Sequence, residues 1–238
     1  MSTLSSNTSL KIKPNPSISS PPYTIKSSNS YSTEITSILS SITSPYNSTQ
    51  FETYPYFIPQ TNTNFLPHLS VPSSILNTYQ IKNLHNNLPY YDQFKHWTRL
   101  YCLSRDGTSI KTFYNKAQPG SSILIIKDDL GNIFGAYSPE EYKCNPNKFY
   151  GTGETFLFSF YKTDSVRCFL TTGENDNYIY SDNNRISFGC SDDCFSLSIE
   201  DDFWKGYTAT TKTFQNPLLT QHENFTVVNV ELWTFQSI

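Results

Sequence analysis

The chain has 238 residues and a formal net charge of −3, with 16% of its residues charged and 16% aromatic. A weakly acidic chain has no electrostatic attraction for nucleic acid or for an anionic membrane surface, and no apolar run approaches the ~18 residues of a membrane span. We therefore expect no nucleic-acid partner and no membrane insertion. The start of the chain has no apolar leader, which predicts that there is no secretory signal.

The composition divides the chain near residues 70–80. Residues 1–80 contain 19 Ser, 11 Thr, 9 Pro and 7 Asn, whereas all nine glycines, five cysteines and three tryptophans follow. Such a tract buries too little apolar area to offset a backbone ordering cost of ~1–2 kcal/mol per residue. The sequence predicts a disordered tail over residues 1–70 and one globular domain over residues 71–238.

The tail carries a weak targeting signal. Lys11, Lys13 and Lys26 are interspersed with serines, and no acidic residue precedes Glu34. This pattern loosely fits a mitochondrial presequence, although arginine and a basic amphipathic helix are missing. A cytosolic tail is the favoured interpretation, and a mitochondrial one is the alternative.

Helices are predicted at three places in the domain. The segment "SSILNTYQIKNLHNNLP" begins with a serine cap, Ser73 or Ser74, and is closed by proline. "TSIKTFYNKA" has apolar residues at i, i+3, i+4 and i+7 behind Thr108, which predicts a short helix over residues 110–117. "EDDFWKG", residues 200–206, is typical of one helical turn ended by glycine.

The remaining segments predict short antiparallel strands. The first covers residues 98–103, and "SILIIKDDLGNIFGAYS" predicts a hairpin around residues 128–132, because its loop contains turn residues. Further strands are predicted from "ETFLFSFY", "VRCFLTTG", "NYIYSD", "RISFG", "CFSLSI", "YTATTKTF" and "FTVVNVELWTF". Strands ~8–15 residues apart, mostly joined as hairpins, indicate a mostly β (α+β) fold: an antiparallel β-sandwich flanked by a few short helices.

The segment "YGTGETFLFSFY", beginning at Tyr150, places a glutamate against a Gly-Thr-Gly turn. It is neither a phosphate loop nor a dinucleotide fingerprint, because the lysine, the third glycine and the following helix are missing. "TTGEND" is similar, so Glu154 and Glu174 are a candidate carboxylate pair, but a glycosidase needs a separation of ~5–9 Å that a sequence does not supply. We predict instead that Glu154 and Glu174 are structural clasps, whose carboxylates accept hydrogen bonds from the backbone of the glycine turns.

Thiol chemistry is the one enzymatic alternative. Five cysteines at irregular spacing predict reduced thiols rather than a disulfide framework. Cys190 or Cys194 would be a peroxide-sensitive thiolate if a positive group lowered its pKa, but Asp192 and Asp193 between them would raise it. The four histidines have no second ligand nearby in the sequence, so no metal and no cofactor are predicted.

Nine short segments of the domain follow one another in an order that a known family shares. They are "LP" at residues 88–89, "W-x-x-LY" at 97–101, "RDGTSIKTFY" at 105–114, "LIIKDDLGNIFGAY" at 124–137, "FYGTGETFLF" at 149–158, "TGENDNYIY" at 172–180, "RISFG" at 185–189, "KTFQNPLL" at 212–219 and "VELWTF" at 230–235. Together they resemble the TLDc domain of the oxidation resistance protein family, over about residues 73–238. The chain departs from the family's pattern at Thr171, in "CSDDC" and in "FSLSIED".

The resemblance implies a β-sandwich flanked by helices, with no established catalytic centre and no cofactor. It also implies a role in resistance to oxidative stress, through binding of the vacuolar-type proton ATPase at its soluble sector and peripheral stalk. In the short, fungal-like members that this chain resembles most, the expected outcome is disassembly or inhibition of the ATPase. The implied location is the cytoplasm, at the vacuolar membrane through the partner, with the mitochondrion as alternative. The motif residues carried over, which we expect to be structural, are Trp97, Asp106, Gly107, Gly135, Tyr150, Gly151, Gly153, Glu154, Gly173, Glu174, Asn175, Glu231 and Trp233.

The leading hypothesis is therefore a monomeric, non-enzymatic regulatory module that binds a large assembly. Such binding uses aromatic anchors, for which Trp204, Tyr207 and Trp233 are candidates by residue type, although a core position is favoured for each. The alternative is a thiol-based antioxidant enzyme that acts on peroxide. A third hypothesis, a carbohydrate-binding sandwich, would require a row of exposed aromatic side chains on one sheet face.

Overall fold

A computed structural model describes residues 66–160 and 165–237 of the chain. The predicted disordered tail lies outside these residues, except for residues 66–70. Within the described residues, no helix is long and apolar enough to cross a membrane. The helices and strands of the described part are α1 (Thr78–His85), β1 (His96–Cys102), α2 (Leu103–Asp106), α3 (Ile110–Lys116), β2 (Ser122–Asp128), β3 (Ile133–Ser138), β4 (Phe156–Ser159), β5 (Arg167–Leu170), β6 (Ile179–Ser181), β7 (Arg185–Ser191), β8 (Cys194–Glu200), β9 (Lys205–Thr208) and β10 (Asn224–Gln236).

The strands form two antiparallel sheets that share β10. The first sheet has the order β5-β4-β3-β2-β10, with β1 paired to β10 as well, and the second has the order β10-β9-β8-β7-β6. Residues 224–226 of β10 pair with β9, whereas residues 227–234 pair with β2 and residues 231–236 with β1. The predicted mostly β, antiparallel fold with a few short helices is confirmed.

One hydrophobic core lies between the two sheets. Leu124 of β2, Phe188 of β7 and Leu197 of β8 are fully buried in the same cluster. Phe134 of β3 meets Phe225 of β10 edge to face, with ring centroids 4.9 Å apart. Because side chains from both sheets interdigitate in one core, the two sheets form a sandwich.

A second core covers the other face of the first sheet. Ile123 and Ile125 of β2 pack there with Leu84 of α1 and with Trp97 of β1. Leu69 forms a bridge with Trp97, so the chain ahead of α1 belongs to this layer. Because β2 is buried on both faces, the centre of its sequence, "ILII", is a continuous apolar run instead of an alternating one.

Helix α1 begins later than the predicted serine caps. Its N-cap is Asn77, whose side chain accepts a hydrogen bond from the N–H of Gln80 at 2.9 Å, while the Gln80 side chain accepts one from the N–H of Asn77 at 3.0 Å. This reciprocal pair is a capping box. Ser73 and Ser74 bind Glu231 on β10 instead, so their hydroxyls are engaged in tertiary contacts.

Three other element boundaries also differ from the prediction. Helix α3 is capped by Ser109, not Thr108. The predicted helical turn in "EDDFWKG" is a tight connection between β8 and β9, closed by the N–H of Phe203 donating to the carbonyl of Glu200 at 3.1 Å. Phe203 has φ 52°, a left-handed conformation that a helix does not contain. The strand predicted from "YTATTKTF" ends at Thr208.

Candidate functional site

Four of the motif residues, Trp97, Gly135, Glu231 and Trp233, lie in the interior of the domain. Trp97 and Trp233 are fully buried, with ring centroids 6.2 Å apart. Gly135 lies on β3, where an added Cβ would overlap the carbonyl oxygen of Leu124 on β2. Only glycine fits this close approach of two strands, which explains the residue type at this position.

Glu231 on β10 is a fully buried carboxylate that holds the segment ahead of α1 against the sheet. It accepts hydrogen bonds from the hydroxyl of Ser73 at 2.6 Å, and from the hydroxyl and N–H of Ser74 at 2.7 and 2.8 Å. Arg99 donates to it at 2.9 Å and the indole N–H of Trp233 at 3.0 Å. Burial alone would raise the pKa of Glu231, but the bonds from Ser73, Ser74 and Trp233 hold that pKa below its usual value.

Asp106 and Gly107 form a second structural corner, at the end of α2. The Asp106 carboxylate binds the Arg105 guanidinium at 2.7 Å, the Lys116 ammonium at 3.2 Å and the N–H of Cys102 at 2.9 Å. Burial opposes the charged form, but these bonds lower the pKa of Asp106 to about 2. Gly107 has φ 84°, which lets the chain reverse after the helix.

Tyr150, Gly151, Gly173 and Asn175 also serve the fold. The Tyr150 backbone bridges to Ile179, and Gly151 and Gly173 have positive φ angles of 95° and 79°. The Asn175 side chain accepts hydrogen bonds from the N–H of Asn177 at 3.0 Å and from the hydroxyl of Thr213 at 2.9 Å. These residues shape the turns that precede β4 and β6.

Glu154 is not the predicted structural clasp. Its side chain is exposed, and its carboxylate accepts a hydrogen bond from the hydroxyl of Tyr91 at 2.8 Å. Thr152 supplies the turn contacts instead: its hydroxyl accepts from the N–H of Glu154 at 3.3 Å and its carbonyl from the N–H of Thr155 at 3.0 Å. Because a neutral threonine closes the turn, the carboxylate is left at the surface.

Glu174 occupies an equivalent turn that lies beside the first. The hydroxyl of Thr172 accepts from the N–H of Glu174 at 3.2 Å, as the hydroxyl of Thr152 does for Glu154. The two loops touch, because the Thr171 hydroxyl donates to the carbonyl of Gly153 at 2.9 Å. The exposed Glu174 carboxylate accepts from Gln215 at 2.8 Å, so Glu174 is not the predicted clasp either. The structure therefore brings together the two Thr-Gly-Glu turns that look alike in the sequence.

A chain of side-chain hydrogen bonds leads from Glu154 into the protein. Tyr91 lies 3.0 Å from the hydroxyl of the fully buried Tyr137, which donates to Asp92 at 2.8 Å. Asp92 is itself fully buried and pairs with Lys95 at 2.9 Å. Burial and the nearby Glu154 and Asp92 carboxylates raise the pKa of Tyr91 to about 12, so its hydroxyl remains a neutral donor.

Three exposed aromatic side chains adjoin this network. Tyr90, Tyr91 and Phe94 are 65%, 45% and 57% exposed, and the rings of Tyr90 and Phe94 meet edge to face at 4.8 Å. They lie between α1 and β1, in the loop sequence "PYYDQF". Three aromatic residues in one loop are a local pattern from which exposed aromatic side chains could have been predicted. We call the surface formed by Tyr90, Tyr91, Phe94, Glu154, Glu174 and Asp176 the acidic–aromatic rim.

Among the residues that the structure describes, the three carboxylates of the rim have no ion-pair partner. The ion pairs between described residues involve Asp92, Asp106, Asp192 and Glu231, and none brings a Lys, Arg or His nitrogen within 4.0 Å of Glu154, Glu174 or Asp176. A surface of exposed rings beside unpaired carboxylates is suited to binding a protein segment that carries cations.

Two of the five cysteines have a thiol whose pKa is raised. Burial raises the pKa of Cys168 to about 12, and burial together with Asp193, Cys194 and Asp192 raises that of Cys190. All five thiols are free, and the described residues contain no group of three or more His, Cys, Asp or Glu side chains that could hold a metal ion. The raised pKa values disfavour a thiolate at these two cysteines.

The predicted aromatic anchors divide by burial. Trp233 is fully buried and Tyr207 half-buried, whereas Trp204 is 59% exposed. The favoured core position is therefore correct for Trp233 and wrong for Trp204.

Comparison with known proteins identifies the class of this domain. The sequence profile of the TLDc domain matches residues 69–236, and the chain belongs to the TLDc domain family. It is 39% identical over 175 residues to "Oxidation resistance protein 1" of Xenopus laevis, and 36% identical over 175 residues to the Homo sapiens protein of that name. It is 35% identical over 173 residues to "Nuclear receptor coactivator 7" of Mus musculus. These alignments cover 72–73% of this chain but only 18–20% of each relative.

Proposed function

We propose that this chain is a non-enzymatic regulatory module of oxidative-stress resistance that binds the vacuolar-type proton ATPase. It acts on the soluble sector and peripheral stalk, and promotes disassembly or inhibition of the enzyme. It works in the cytoplasm, at the vacuolar membrane through its partner, with the mitochondrion as the alternative location. Membership of the TLDc domain family supports the stress-resistance role.

The acidic–aromatic rim is the observation that carries the proposal. Trp97, Gly135, Glu231 and Trp233 of the family motifs are buried, whereas Glu154 and Glu174 are exposed on adjoining loops. Glu154 is bonded to Tyr91, in the loop that also carries the exposed Tyr90 and Phe94. Exposed aromatic side chains surrounded by charge are typical of the residues that dominate protein–protein binding energy. A binding role therefore accounts for exposed motif residues that the fold does not need.

The test is binding of the full-length chain to purified vacuolar-type proton ATPase, measured by cosedimentation with membranes. We expect the double variant Tyr90→Ser/Phe94→Ser to bind at least tenfold more weakly, because truncated hot-spot side chains each cost about 1–2 kcal/mol or more. Release of the soluble sector into the supernatant measures disassembly in the same samples.

Two controls separate this proposal from its alternatives. Tyr79→Ser removes an equally exposed aromatic side chain from α1, and should leave binding unchanged. A variant with all five cysteines replaced by serine should bind like the wild type. Unchanged binding by the Tyr90→Ser/Phe94→Ser variant would contradict the rim, and peroxide consumption lost only in the cysteine-free variant would establish the thiol enzyme instead.

A further inference from the structure

The hydrogen-bond chain behind the acidic–aromatic rim contains a buried tyrosine whose hydroxyl donates to a carboxylate. Three tyrosines of the described chain, Tyr101, Tyr137 and Tyr142, are 1% exposed or less. The hydroxyl of Tyr101 donates to the carbonyl of Gly107, and that of Tyr142 has no hydrogen-bond partner among the described residues. Tyr137 donates to Oδ2 of the fully buried Asp92 at 2.8 Å. Of these three phenols, Tyr137 is therefore the one whose proton has a base beside it.

This arrangement suits the removal of one electron from Tyr137. Its ring packs in the second core, where loss of an electron alone would leave a buried positive charge at a high cost in free energy. Transfer of the phenol proton to Asp92 in the same step removes that charge. The separation of 2.8 Å lies within the reach of about 2.6–3.2 Å over which side chains exchange protons. The product is a neutral tyrosyl radical beside a neutral carboxylic acid.

The ion pair between Asp92 and Lys95 is compatible with this proton transfer. Lys95 binds Oδ1 of Asp92 at 2.9 Å, whereas Tyr137 binds Oδ2, so the two donors do not compete for one oxygen atom. The Lys95 side chain is 29% exposed. Water therefore stabilises its ammonium group while the carboxyl group of Asp92 holds the proton.

Aromatic side chains enclose the ring of Tyr137. Phe156 stacks on it, with ring centroids 5.0 Å apart and an interplanar angle of 10°, and Phe235 packs against it with centroids 6.2 Å apart. Tyr137 and Phe156 are 0% exposed. Organic radicals decay when they meet a second radical or a reductant in solution. A radical on Tyr137 is shielded from both, so it outlives a radical on an exposed tyrosine.

Tyr91 connects this buried site to the surface. It is 45% exposed, and its hydroxyl lies 3.0 Å from that of Tyr137 and donates to Glu154 at 2.8 Å. An oxidant in solution therefore reaches Tyr91 directly, and Tyr137 only through Tyr91. Each of the two phenols has its own base, because Glu154 accepts the proton of Tyr91 as Asp92 accepts that of Tyr137.

We propose that Tyr91 and Tyr137 form a redox site that reduces peroxyl radicals and holds the resulting radical on Tyr137. Tyr91 gives one electron to the peroxyl radical, ROO•, which becomes the anion ROO⁻, and the proton of Tyr91 passes to Glu154. Tyr137 then gives an electron to the Tyr91 radical, while its own proton passes to Asp92. Glu154 returns the first proton to Tyr91.

The reaction is balanced in atoms and electrons. In sum, ROO•, the Tyr137 phenol and the Asp92 carboxylate become ROO⁻, the Tyr137 radical and the Asp92 carboxylic acid, and ROO⁻ takes a proton from water to form a hydroperoxide. Each chain supplies one electron, so the reaction is stoichiometric and not catalytic. This inference does not rest on the proposed ATPase partner, because it concerns a reaction of the chain alone.

Electron paramagnetic resonance of the full-length chain tests the proposal. A light pulse generates peroxyl radicals from a water-soluble azo initiator in aerated buffer, and samples are frozen at successive times after the pulse. We expect the wild type to show a tyrosyl signal that persists after the radicals on exposed tyrosines have decayed, and Tyr137→Phe to lose it. This variant keeps the ring that stacks on Phe156, and its melting temperature shows whether it folds. A persistent signal that is equal in the two proteins, or absent from the wild type, would overturn the proposal.

Tyr91→Phe tests the route from the surface, and does not depend on whether Tyr137→Phe folds. It keeps an exposed ring but removes the hydroxyl, so the persistent signal should form more slowly than in the wild type. Tyr79→Phe is the matched control, because Tyr79 is 57% exposed on α1, and it should behave like the wild type. Formation at the wild-type rate in Tyr91→Phe would overturn the transfer.

Deuterated water supplies a measurement that a purely structural role of the two tyrosines would not change. Because protons move together with the electron, the persistent signal of the wild type should form more slowly in deuterated water than in ordinary water. Equal rates in the two solvents would overturn the proposed proton transfers to Glu154 and Asp92.

Discussion

Two glutamates of the family motifs differ completely in their surroundings. Glu231 is fully buried and accepts hydrogen bonds from the segment ahead of α1 and from Arg99 of β1. Glu154 is exposed and accepts one hydrogen bond, from the hydroxyl of Tyr91. The first carboxylate holds the segment ahead of α1 to the sheet. The second, that of Glu154, lies in the acidic–aromatic rim. The comparison teaches that a motif residue identifies a family without saying whether its role lies in the fold or in binding.

The largest expected effect is at Glu231. Glu231→Ala removes the counterion of the partly buried Arg99 and the acceptor of five hydrogen bonds, one of which comes from Arg99. We therefore expect a loss of about 3–5 kcal/mol in the free energy of unfolding. The melting temperature should fall by roughly 10 °C, measured by calorimetry on the full-length chain. A fall of less than 2 °C would contradict the structural role of this carboxylate. Glu231→Gln keeps the shape of the side chain, so its melting temperature should lie between those of Glu231→Ala and the wild type.

An intermediate effect is expected from pH. The pKa values of Asp106 and Glu231 are lower in the folded chain than in the unfolded chain, so their stabilisation is complete above the unfolded values near 4 and is lost as pH falls through the folded ones. For Asp106, whose pKa is about 2, we expect a loss on the order of 1–2 kcal/mol between pH 5 and pH 2. Urea unfolding of the wild type and of Asp106→Asn measures it. The variant should lose less stability than the wild type over this interval, and identical slopes would contradict the assignment.

The smallest effect on stability is expected at Glu154. Glu154→Ala removes one exposed hydrogen bond, so we expect the free energy of unfolding to change by about 0.5 kcal/mol or less. Thermal unfolding beside Glu231→Ala gives the comparison within one experiment. A loss of several kcal/mol would restore the structural clasp that the sequence predicted.

The general architecture could be predicted from the sequence because it depends on local patterns. The hairpin around residues 128–132 follows from its turn residues, and the alternating segment ending in "VELWTF" predicts β10. The roles of the two glutamates depend on distant residues. Ser74 lies 157 positions from Glu231, and Tyr91 lies 63 positions from Glu154. No local pattern shows that a serine distant in the sequence donates hydrogen bonds to Glu231. Nor does one show that the threonine of the turn, rather than the Glu154 carboxylate, accepts the N–H of the turn.

The central claim is that the acidic–aromatic rim binds a partner, whereas the buried motif residues support the fold. The most direct measurement is the affinity of Tyr90→Ser/Phe94→Ser and of the wild type for the purified soluble sector of the vacuolar-type proton ATPase, with melting temperatures taken on the same samples. The account predicts an affinity at least tenfold lower at a melting temperature within about 2 °C of the wild type. Equal affinities for the two proteins would contradict it.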